Sequence, residues 1–420
     1  MPRNRLAKSE YQRYKRMGNR LNFKVLPETF DEEDFLRNYW QKKPLLIRGN
    51  GKPFVDPVAP EELAGFACED FIESRLIQSH PANGARQWTL RNGPFTEQDF
   101  GRLPETHWSL LIQAVDQWHE GVRAMLDDFR FIPSWRIDDI MISYATDGGG
   151  VGPHFDYYDV FLIQGLGKKR WRLGGHVDSN SALIPDTPLR LLADFKTEED
   201  WIVEPGDILY LPPNLAHYGI AIGDSMTYSI GFRTPSIAGI IDDLSSEIMQ
   251  ELREDQRYVD TAPRVPSRTG EIDAHVADQL IGLLQERLLD PGKVSRWFGR
   301  YMTTPKYPDL VPVAETQLDP DTLRLALAEG LQLVKNPSSR FAFTERAGKA
   351  ELYVDGHAIA CPASLAGLLP PLCETGIVSA PLTMICESLL RAGDDGAALL
   401  ARLYNQGSLL PDLEDDEDDE

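Results

Sequence analysis

The 420-residue sequence lacks three features that would mark a membrane or secreted protein. No apolar run approaches the ~18–20 residues that a membrane-spanning helix needs. The N-terminus has basic residues without an apolar segment behind them, so we expect no secretory signal. Only four cysteines are present, with no CxxC motif or other metal-like spacing. We therefore expect reduced thiols in a cytoplasmic protein, and any metal must have other ligands.

Basic charge is also scarce, since 43 Lys and Arg face 65 Asp and Glu, for a formal net charge of −22. Its distribution is uneven. Residues 1–20 carry seven basic side chains and one acid and predict a flexible basic arm, whereas eight of the last nine residues are acidic. The acidic body argues against a protein that coats nucleic acid and favours basic partners, including basic proteins; plain solubility is the alternative.

The predicted secondary structure changes from region to region between the two ends of the chain. In the mixed region 21–130, Thr29 followed by Glu32 predicts a helix start, and apolar spacing over 108–129 predicts an amphipathic helix. Short β-rich runs split by Gly and Pro over 135–235 predict a small barrel or sandwich. Amphipathic helices follow up to residue 303, and 320–405 predicts a small α+β domain.

Two histidine-containing segments of the β-rich region hold candidate metal ligands. The run GGGVGPHFDYYDVF places His154 and Asp156 two residues apart, hence on one face of a strand. The run EPGDILYLPPNLAHYG brings His217 after a strand and a proline corner, so a closed barrel would return it to the first pair. Two His and one carboxylate leave coordination positions open, as in non-haem Fe(II) oxygenases. The alternative is a chance HxD and a histidine satisfied at a sheet edge.

A 2-oxoglutarate co-substrate needs a cation for its distal carboxylate, and the strand KKRWRL offers one. Because side chains alternate between the two faces of a strand, Lys169 shares a face with the tryptophan and the leucine of this run. Arg170 and Arg172 lie on the other face. A buried lysine needs a partner, which a dicarboxylate would supply. Ser143 is the first candidate for an additional hydroxyl, with Tyr144 and Thr227 as rivals.

The two motif stretches, IDDIMISYATDGGGVGPHFDYYDVFLIQGLGKKRWRLG and EPGDILYLPPNLAHYG, resemble the Jumonji-C type ribosomal oxygenases. More narrowly, they resemble the bacterial ribosomal protein arginine hydroxylases. The resemblance implies an α+β chain with a double-stranded β-helix (cupin) core, a helical dimerisation segment and a C-terminal winged-helix-like domain. On this sequence the expected division is 1–20 basic arm, 21–237 catalytic domain, 238–303 dimerisation segment, 304–405 winged-helix-like domain and 406–420 acidic tail.

The resemblance also implies roles for particular residues. The metal triad falls on His154, Asp156 and His217, and the basic anchor for 2-oxoglutarate falls on Lys169, where bacterial relatives often have arginine. Ser143 matches one member of a serine pair, whereas the other position is an alanine. The implied activity is hydroxylation that uses Fe(II), 2-oxoglutarate and O₂ and releases succinate and CO₂.

An arginine substrate would require carboxylates and aromatic faces near the metal, since guanidinium prefers both. Tyr157, Tyr158 and Asp159 follow the triad directly; Tyr158 ranks first by strand alternation, and a structural hydrogen bond is the alternative for Asp159. The expected partners are a basic ribosomal protein, a second copy of the chain and, through the basic arm, rRNA.

Other functions remain open on the sequence. The same chemistry could act on a histidine, an asparagine, a methyl-lysine or a tRNA base. A metal hydrolase and a non-catalytic assembly protein are the alternatives from other classes.

Overall fold

Two antiparallel sheets face each other in the N-terminal half of the protein, in a computed structural model that describes residues 24–49, 54–82, 85–261, 263, 265, 268–346, 348–374 and 382–412. The larger sheet has the strand order β1-β9-β6-β11-β5-β4-β2-β3, and the smaller has the order β10-β7-β8. The predicted basic arm, 1–20, and residues 413–420 of the acidic tail lie outside the described residues.

The eleven strands of these sheets are β1 (Leu45–Ile47), β2 (Ser74–Ala82), β3 (Ala85–Asn92), β4 (Trp108–Ile112), β5 (Ile137–Ala145), β6 (Asp159–Gln164), β7 (Lys168–His176), β8 (Glu199–Val203), β9 (Ile208–Leu211), β10 (Leu215–Ile222) and β11 (Ser225–Phe232). Apolar side chains from both sheets meet between them, among them Leu162 on β6, Trp171 and Leu173 on β7 and Leu209 on β9. The barrel or sandwich predicted for 135–235 is therefore confirmed.

The outer face of the large sheet is covered by short helices. These are α1 (Glu32–Asn38), α2 (Pro60–Phe66), α3 (Glu97–Phe100) and α4 (Glu120–Ala124), with 3₁₀ turns at Val115–Gln117, Met125–Phe129 and Ser134–Arg136. Alternate residues of β5, β6 and β11, such as Ile142, Phe161 and Tyr228, point into this outer core. The large sheet is thus buried on both faces, so its other alternate residues are left to line the barrel interior.

Two expectations for the mixed region were wrong in detail. Residues 108–112 form β4, which pairs with β2 and β5, instead of opening a long helix. Because Leu110, Leu111 and Ile112 are all buried, their spacing does not distinguish a helix from a strand with two covered faces. The helix near residue 30 begins after Asp31 rather than Thr29, since the Asp31 carboxylate accepts from the Asp34 N–H at 2.9 Å.

Three helices follow the barrel: α5 (Ile237–Glu251), α6 (Ala274–Leu288) and α7 (Pro291–Thr303). Each begins at an N-cap side chain, Ser236, Asp273 and Asp290 respectively, which accepts from a first-turn N–H. The helix α7 packs on the C-terminal domain, and its Trp297 donates to the Asp243 carboxylate on α5 at 2.6 Å.

The C-terminal domain combines helices with two small sheets around its own core. Its elements are a 3₁₀ turn (Pro308–Leu310), α8 (Pro320–Ala328), β12 (Leu333–Lys335), β13 (Phe341–Arg346), β14 (Lys349–Val354), β15 (His357–Cys361), α9 (Ala363–Ala366), α10 (Leu369–Glu374), α11 (Thr383–Arg391), α12 (Asp394–Asn405) and β16 (Leu409–Pro411). The expected α+β domain is present.

All four cysteines are free thiols, and Cys373 and Cys386 are buried in the C-terminal core. Among the described residues, no helix combines the length and the apolar character that crossing a membrane would require.

Candidate metal and co-substrate site

His154, Asp156 and His217 meet at one end of the barrel interior. One ligand atom from each lies within 4.8 Å of the other two. The Asp156 Oδ2 is 3.9 Å from Nε2 of His154 and 3.6 Å from Nε2 of His217. Among the described residues this is the one group of three or more His, Cys, Asp or Glu side chains with metal-like geometry. The predicted triad is thus assembled in space.

The two imidazoles are held in the tautomer that a metal requires. Nδ1 of His154 lies 2.8 Å from the Gly152 carbonyl, and Nδ1 of His217 lies 2.9 Å from the Leu215 carbonyl. Because a carbonyl can only accept, each Nδ1 carries the proton, which leaves the Nε2 lone pair toward Asp156. Burial lowers the pKa of His217 to about 4, so this ring is neutral at physiological pH.

The segment that carries His154 and Asp156 is not the regular strand that the sequence predicts. The strand β6 begins only at Asp159, and His154 forms an isolated bridge with His217. Before it, the glycine run packs against β10: a Cβ on Gly150 would overlap the Gly219 carbonyl oxygen. These glycines therefore allow the close approach that sets His154 beside His217.

Lys169 lies inside the barrel, as its alternation with Arg170 predicts. Its side chain is 5 % exposed, and its Nζ donates to Thr227 at 3.1 Å and approaches Ser143 at 3.4 Å. The ammonium also lies 5.3 Å from the centre of the Trp171 ring, which itself stands 5.9 Å from the His217 ring. Thr227, considered only as a rival of Ser143, makes the shorter contact. Burial lowers the pKa of Lys169 to about 8, so the site favours an anionic ligand that would offset this cost.

Lys169 and the triad stand at the right separation for a small dicarboxylate. In the register of β7 and β10, Lys169 lies opposite Ala221 and His217 lies opposite Leu173. Four residues along β7 correspond to ~13 Å, which a lysine side chain and a dicarboxylate can span together. The donor set fits a hard or borderline divalent ion such as Fe(II) with open positions.

The interior face of β5 and β11 extends the site beyond the co-substrate. Period two from Ser143 places Asp139 on the same interior face of β5, and Ser229 and Gly231 continue the row that Thr227 begins on β11. A Cβ on Gly231 would lie 3.9 Å from both Asp139 Oδ1 and Cε2 of the Tyr158 ring. Gly231 adds no side chain between the Asp139 carboxylate and the Tyr158 ring, and we call the gap between these two groups the slot.

Asp139 was missed in the sequence, although the acidic pair in IDDIM was a signal. Two adjacent acids in an otherwise apolar strand place one of them inside the protein. The Asp139 side chain is buried, whereas the Tyr158 side chain is 43 % exposed. Tyr158 thus forms the outer wall of the slot.

Asp159 does not face this slot. Its carboxylate accepts from the Tyr210 hydroxyl at 2.6 Å and from Nε2 of Gln41 at 3.0 Å, and the residue is fully buried. It shares the face of Phe161, which packs in the outer core. This is the structural hydrogen bond that the sequence left as the alternative. Tyr157 is exposed and lies near the Arg190 guanidinium, 5.9 Å from its ring centre.

Comparison with known proteins agrees with this architecture. Residues 124–240 match the model of a JmjC domain, and residues 283–410 match that of a ROXA-like winged helix. The ribosomal protein uL16 3-hydroxylase of Escherichia coli is 36 % identical over 383 residues, which cover 90 % of this chain and 97 % of that protein. The chain belongs to the Jumonji-C ribosomal oxygenases.

Other relatives of this ribosomal oxygenase agree. A probable ribosomal oxygenase of Haemophilus influenzae is 34 % identical over 341 residues, which cover 79 % of this chain and 82 % of the relative. The crystal structure of E. coli ycfD superposes with a TM-score of 0.80 at 34 % identity, over 91 % of this chain and 98 % of that one. The structure of E. coli YcfD in complex with cobalt and 2-oxoglutarate superposes with a TM-score of 0.78 at 34 % identity, over 92 % and 99 % of the two chains.

The expected cupin core, the winged-helix domain, the 2-oxoglutarate-dependent oxygenase activity and the cofactors are thereby confirmed. This ribosomal oxygenase uses Fe(II), 2-oxoglutarate and O₂. With these bound, the centre supplies the oxidant that inserts one oxygen atom into an unactivated C–H bond while 2-oxoglutarate becomes succinate and CO₂. The chain itself would supply the His154 and His217 imidazoles, the Asp156 carboxylate and the buried Lys169 ammonium.

Proposed function

We propose that this ribosomal oxygenase hydroxylates an arginine side chain of a large-subunit ribosomal protein. In this proposal His154, Asp156 and His217 hold Fe(II), and Lys169 holds the distal carboxylate of 2-oxoglutarate with Thr227 and Ser143. The name of the E. coli relative, a uL16 hydroxylase, supports a ribosomal protein of the uL16 type as the substrate. The predicted acidic body supports it as well, because ribosomal proteins are basic and would be steered toward it.

The observation that carries the choice of arginine is the slot beside Gly231. Asp139 Oδ1 stands on one side of it and the Tyr158 ring on the other. A guanidinium is planar, donates to carboxylates in a fork and stacks on aromatic faces, so it satisfies both walls at once. Ser229, on the same row of β11, adds a hydroxyl that can accept a further N–H.

The competing substrates fit this slot less well. A neutral histidine or asparagine side chain would offer Asp139 Oδ1 only a neutral hydrogen bond, which is weaker than the charge-assisted bonds that a guanidinium donates. A methyl-lysine prefers a cage of several aromatic rings, whereas the side chains nearest to Gly231 are one carboxylate, Asp139, and one ring, Tyr158. A tRNA base would bring phosphates toward a protein with a formal net charge of −22.

Peptides test the proposal directly. Fragments that tile recombinant uL16 are incubated with the wild-type enzyme, Fe(II), 2-oxoglutarate and O₂, and the added oxygen is located by fragment-ion mass spectrometry. We expect oxygen on one arginine, and its loss when that arginine is replaced by lysine. Oxygen on a different residue type in the same peptides would contradict the arginine assignment.

We also propose that the helical segment forms a homodimer. Apolar side chains on α5 and α6 are exposed in the single chain, among them Ile237 and Ile241 on α5 and Ile281 and Leu284 on α6. An exposed apolar surface of this kind is typical of an interface, and a second copy would bury it. The predicted division of the chain places this interface within 238–303.

Two further expectations stay predictions. The contact of the basic arm with rRNA concerns residues outside the described part of the chain; unchanged activity on ribosomal substrates after deletion of residues 1–20 would contradict it. A cytoplasmic location is proposed because ribosomal proteins are met there.

A further inference from the structure

Asp139, the carboxylate that lines the slot, is held by a residue from beyond the barrel. Nζ of Lys306 donates to Asp139 Oδ2 at 2.8 Å and to Asp138 Oδ2 at 3.0 Å. Lys306 follows α7 and stands at the entry to the C-terminal domain. The ammonium therefore bridges two neighbouring acids of β5.

The two carboxylate oxygens of Asp139 have different contacts. Oδ2 accepts from Lys306 and also from Nε2 of Gln113 at 2.7 Å, whereas Oδ1 is the oxygen that faces the slot beside Gly231. Two donors on one oxygen fix the rotation of the carboxylate. Its other oxygen is thereby aimed at the place where a guanidinium would lie.

The charges around Asp139 make this cation necessary. Burial raises the pKa of Asp139, and the Lys306 ammonium opposes that rise. Burial and the neighbouring Asp139 raise the pKa of Asp116 to about 7, and Arg340 pairs with Asp138 at 2.9 Å. Arg123 lies near Asp116. Without Lys306, Asp139 would lose the cation that opposes the effect of its burial, and it would take up a proton more readily.

The segment around Lys306 is docked firmly on the barrel. The next residue, Tyr307, donates from its hydroxyl to Oε2 of Glu73 at 2.9 Å, just before β2. On β2 itself, Arg75 donates to Oε1 of Gln113 at 3.2 Å, and Gln113 is the second donor to Asp139. The entry to the C-terminal domain and the edge of the substrate slot thus form one hydrogen-bonded network.

We propose that Lys306 is a positioning residue for substrate recognition, which keeps Asp139 oriented and charged so that it can receive the substrate guanidinium. The inference rests on the proposed function, because it assigns Asp139 to the substrate arginine. It gives the C-terminal domain a part in substrate binding through its entry segment.

The test compares Lys306→Met with Lys293→Met, which removes an exposed lysine that pairs with Glu251 on the helical segment. Substrate KM is measured with recombinant uL16, alongside the KM for 2-oxoglutarate and the succinate formed without protein substrate. We expect the uL16 KM of Lys306→Met to rise at least about tenfold, as the loss of one partner of a buried pair implies. The other two quantities should match those of Lys293→Met.

Further variants separate positioning from a purely structural role. Lys306→Arg, which keeps the charge, should recover most of the uL16 affinity. Lys306→Gln is measured in parallel, so that the outcome does not depend on the folding of one variant. In an Asp139→Asn background the substitution of Lys306 should have no added effect on the uL16 KM, since Lys306 acts through Asp139.

Two results would overturn the inference alone. One is a uL16 KM of both Lys306→Met and Lys306→Gln equal to that of Lys293→Met, while Asp139→Asn raises it. The other is a full additional loss in the double variant Lys306→Met/Asp139→Asn. If Asp139→Asn itself leaves the uL16 KM unchanged, the guanidinium role of Asp139 fails, and the inference fails with it.

Discussion

His154 and His217 exchange both of their backbone hydrogen bonds, from His154 N to His217 O at 3.0 Å and from His217 N to His154 O at 2.8 Å. The two residues are 63 positions apart in the sequence. Their imidazoles are therefore set by the main chain of two separate segments, and their ring centres lie 4.3 Å apart. When the main chain holds the ligands together in this way, metal binding carries a smaller free-energy cost for ordering them.

Substitution of His217 tests the triad. Because His217→Ala removes a ligand but leaves the backbone pairing, we expect a folded protein whose Fe(II) affinity falls more than about 100-fold, beyond the ~10–100-fold cost of an outer-shell loss. Coupled succinate formation should disappear. The Fe(II) affinity is measured by titration calorimetry, and the integrity of the fold is checked by thermal unfolding.

The control for this change is His176→Ala, which removes an exposed histidine at the end of β7. It should bind Fe(II) and turn over like the wild type. Full turnover by His217→Ala would remove His217 from the triad.

Substitution of Lys169 tests the 2-oxoglutarate anchor. Lys169→Ala leaves a bound carboxylate unpaired in a buried site, at a cost of about 2 kcal/mol or more. The 2-oxoglutarate KM should therefore rise about 30-fold or more. Lys168→Ala is the matched control, because Lys168 is the preceding, exposed residue and pairs with Glu204. An equal KM for the two variants would move the anchor elsewhere, with Arg170 and Arg172 next.

The buried ammonium also predicts a pH dependence. The pKa of Lys169 is lowered to about 8 by burial, and a bound dicarboxylate favours the charged form and raises that pKa again. Affinity for 2-oxoglutarate should hence be constant below about pH 8 and fall as pH rises through it, with proton uptake on binding. Calorimetry in buffers of different ionisation enthalpy measures both. Lys169→Arg, which stays charged, should abolish the fall; a fall that persists in it would assign the effect to another group.

The helical segment predicts an oligomeric state. Ile241 on α5 is 62 % exposed in the single chain, and we expect Ile241→Glu to convert a dimer into a monomer because a charge cannot be buried there unpaired. Light scattering after gel filtration measures the mass. Ile222→Glu, at an exposed site at the end of β10, should leave the dimer intact. A wild-type monomer at micromolar concentration would contradict the proposal.

The sequence predicted the site best where the chemistry is local. The two-residue spacing of His154 and Asp156 and the alternation that buries Lys169 depend on short-range geometry, which any strand-like segment shares. The strand KKRWRL kept the predicted faces, since Trp171 and Leu173 are buried beside Lys169.

Residues whose role depends on distant pairing were missed or misplaced. Asp139 becomes part of the site only through the pairing of β5 with β11, and Lys306 reaches it from 167 positions away. Asp159 adjoins the triad in sequence, yet β6 turns it toward Tyr210. Nearness in sequence is therefore a poor guide to substrate residues, because adjacent strand positions point to opposite sides of a sheet.

Mass spectrometry of ribosomal proteins tests the central claim most directly. Cells that carry the wild-type gene are compared with cells that carry the His217→Ala variant, and every large-subunit protein is searched for the added mass of one oxygen atom. We predict one arginine-containing peptide of a uL16-type protein that carries the oxygen on its arginine side chain in wild-type cells and is unmodified in the variant. Identical spectra from the two strains, or an oxygen that localises to another residue type, would contradict the account.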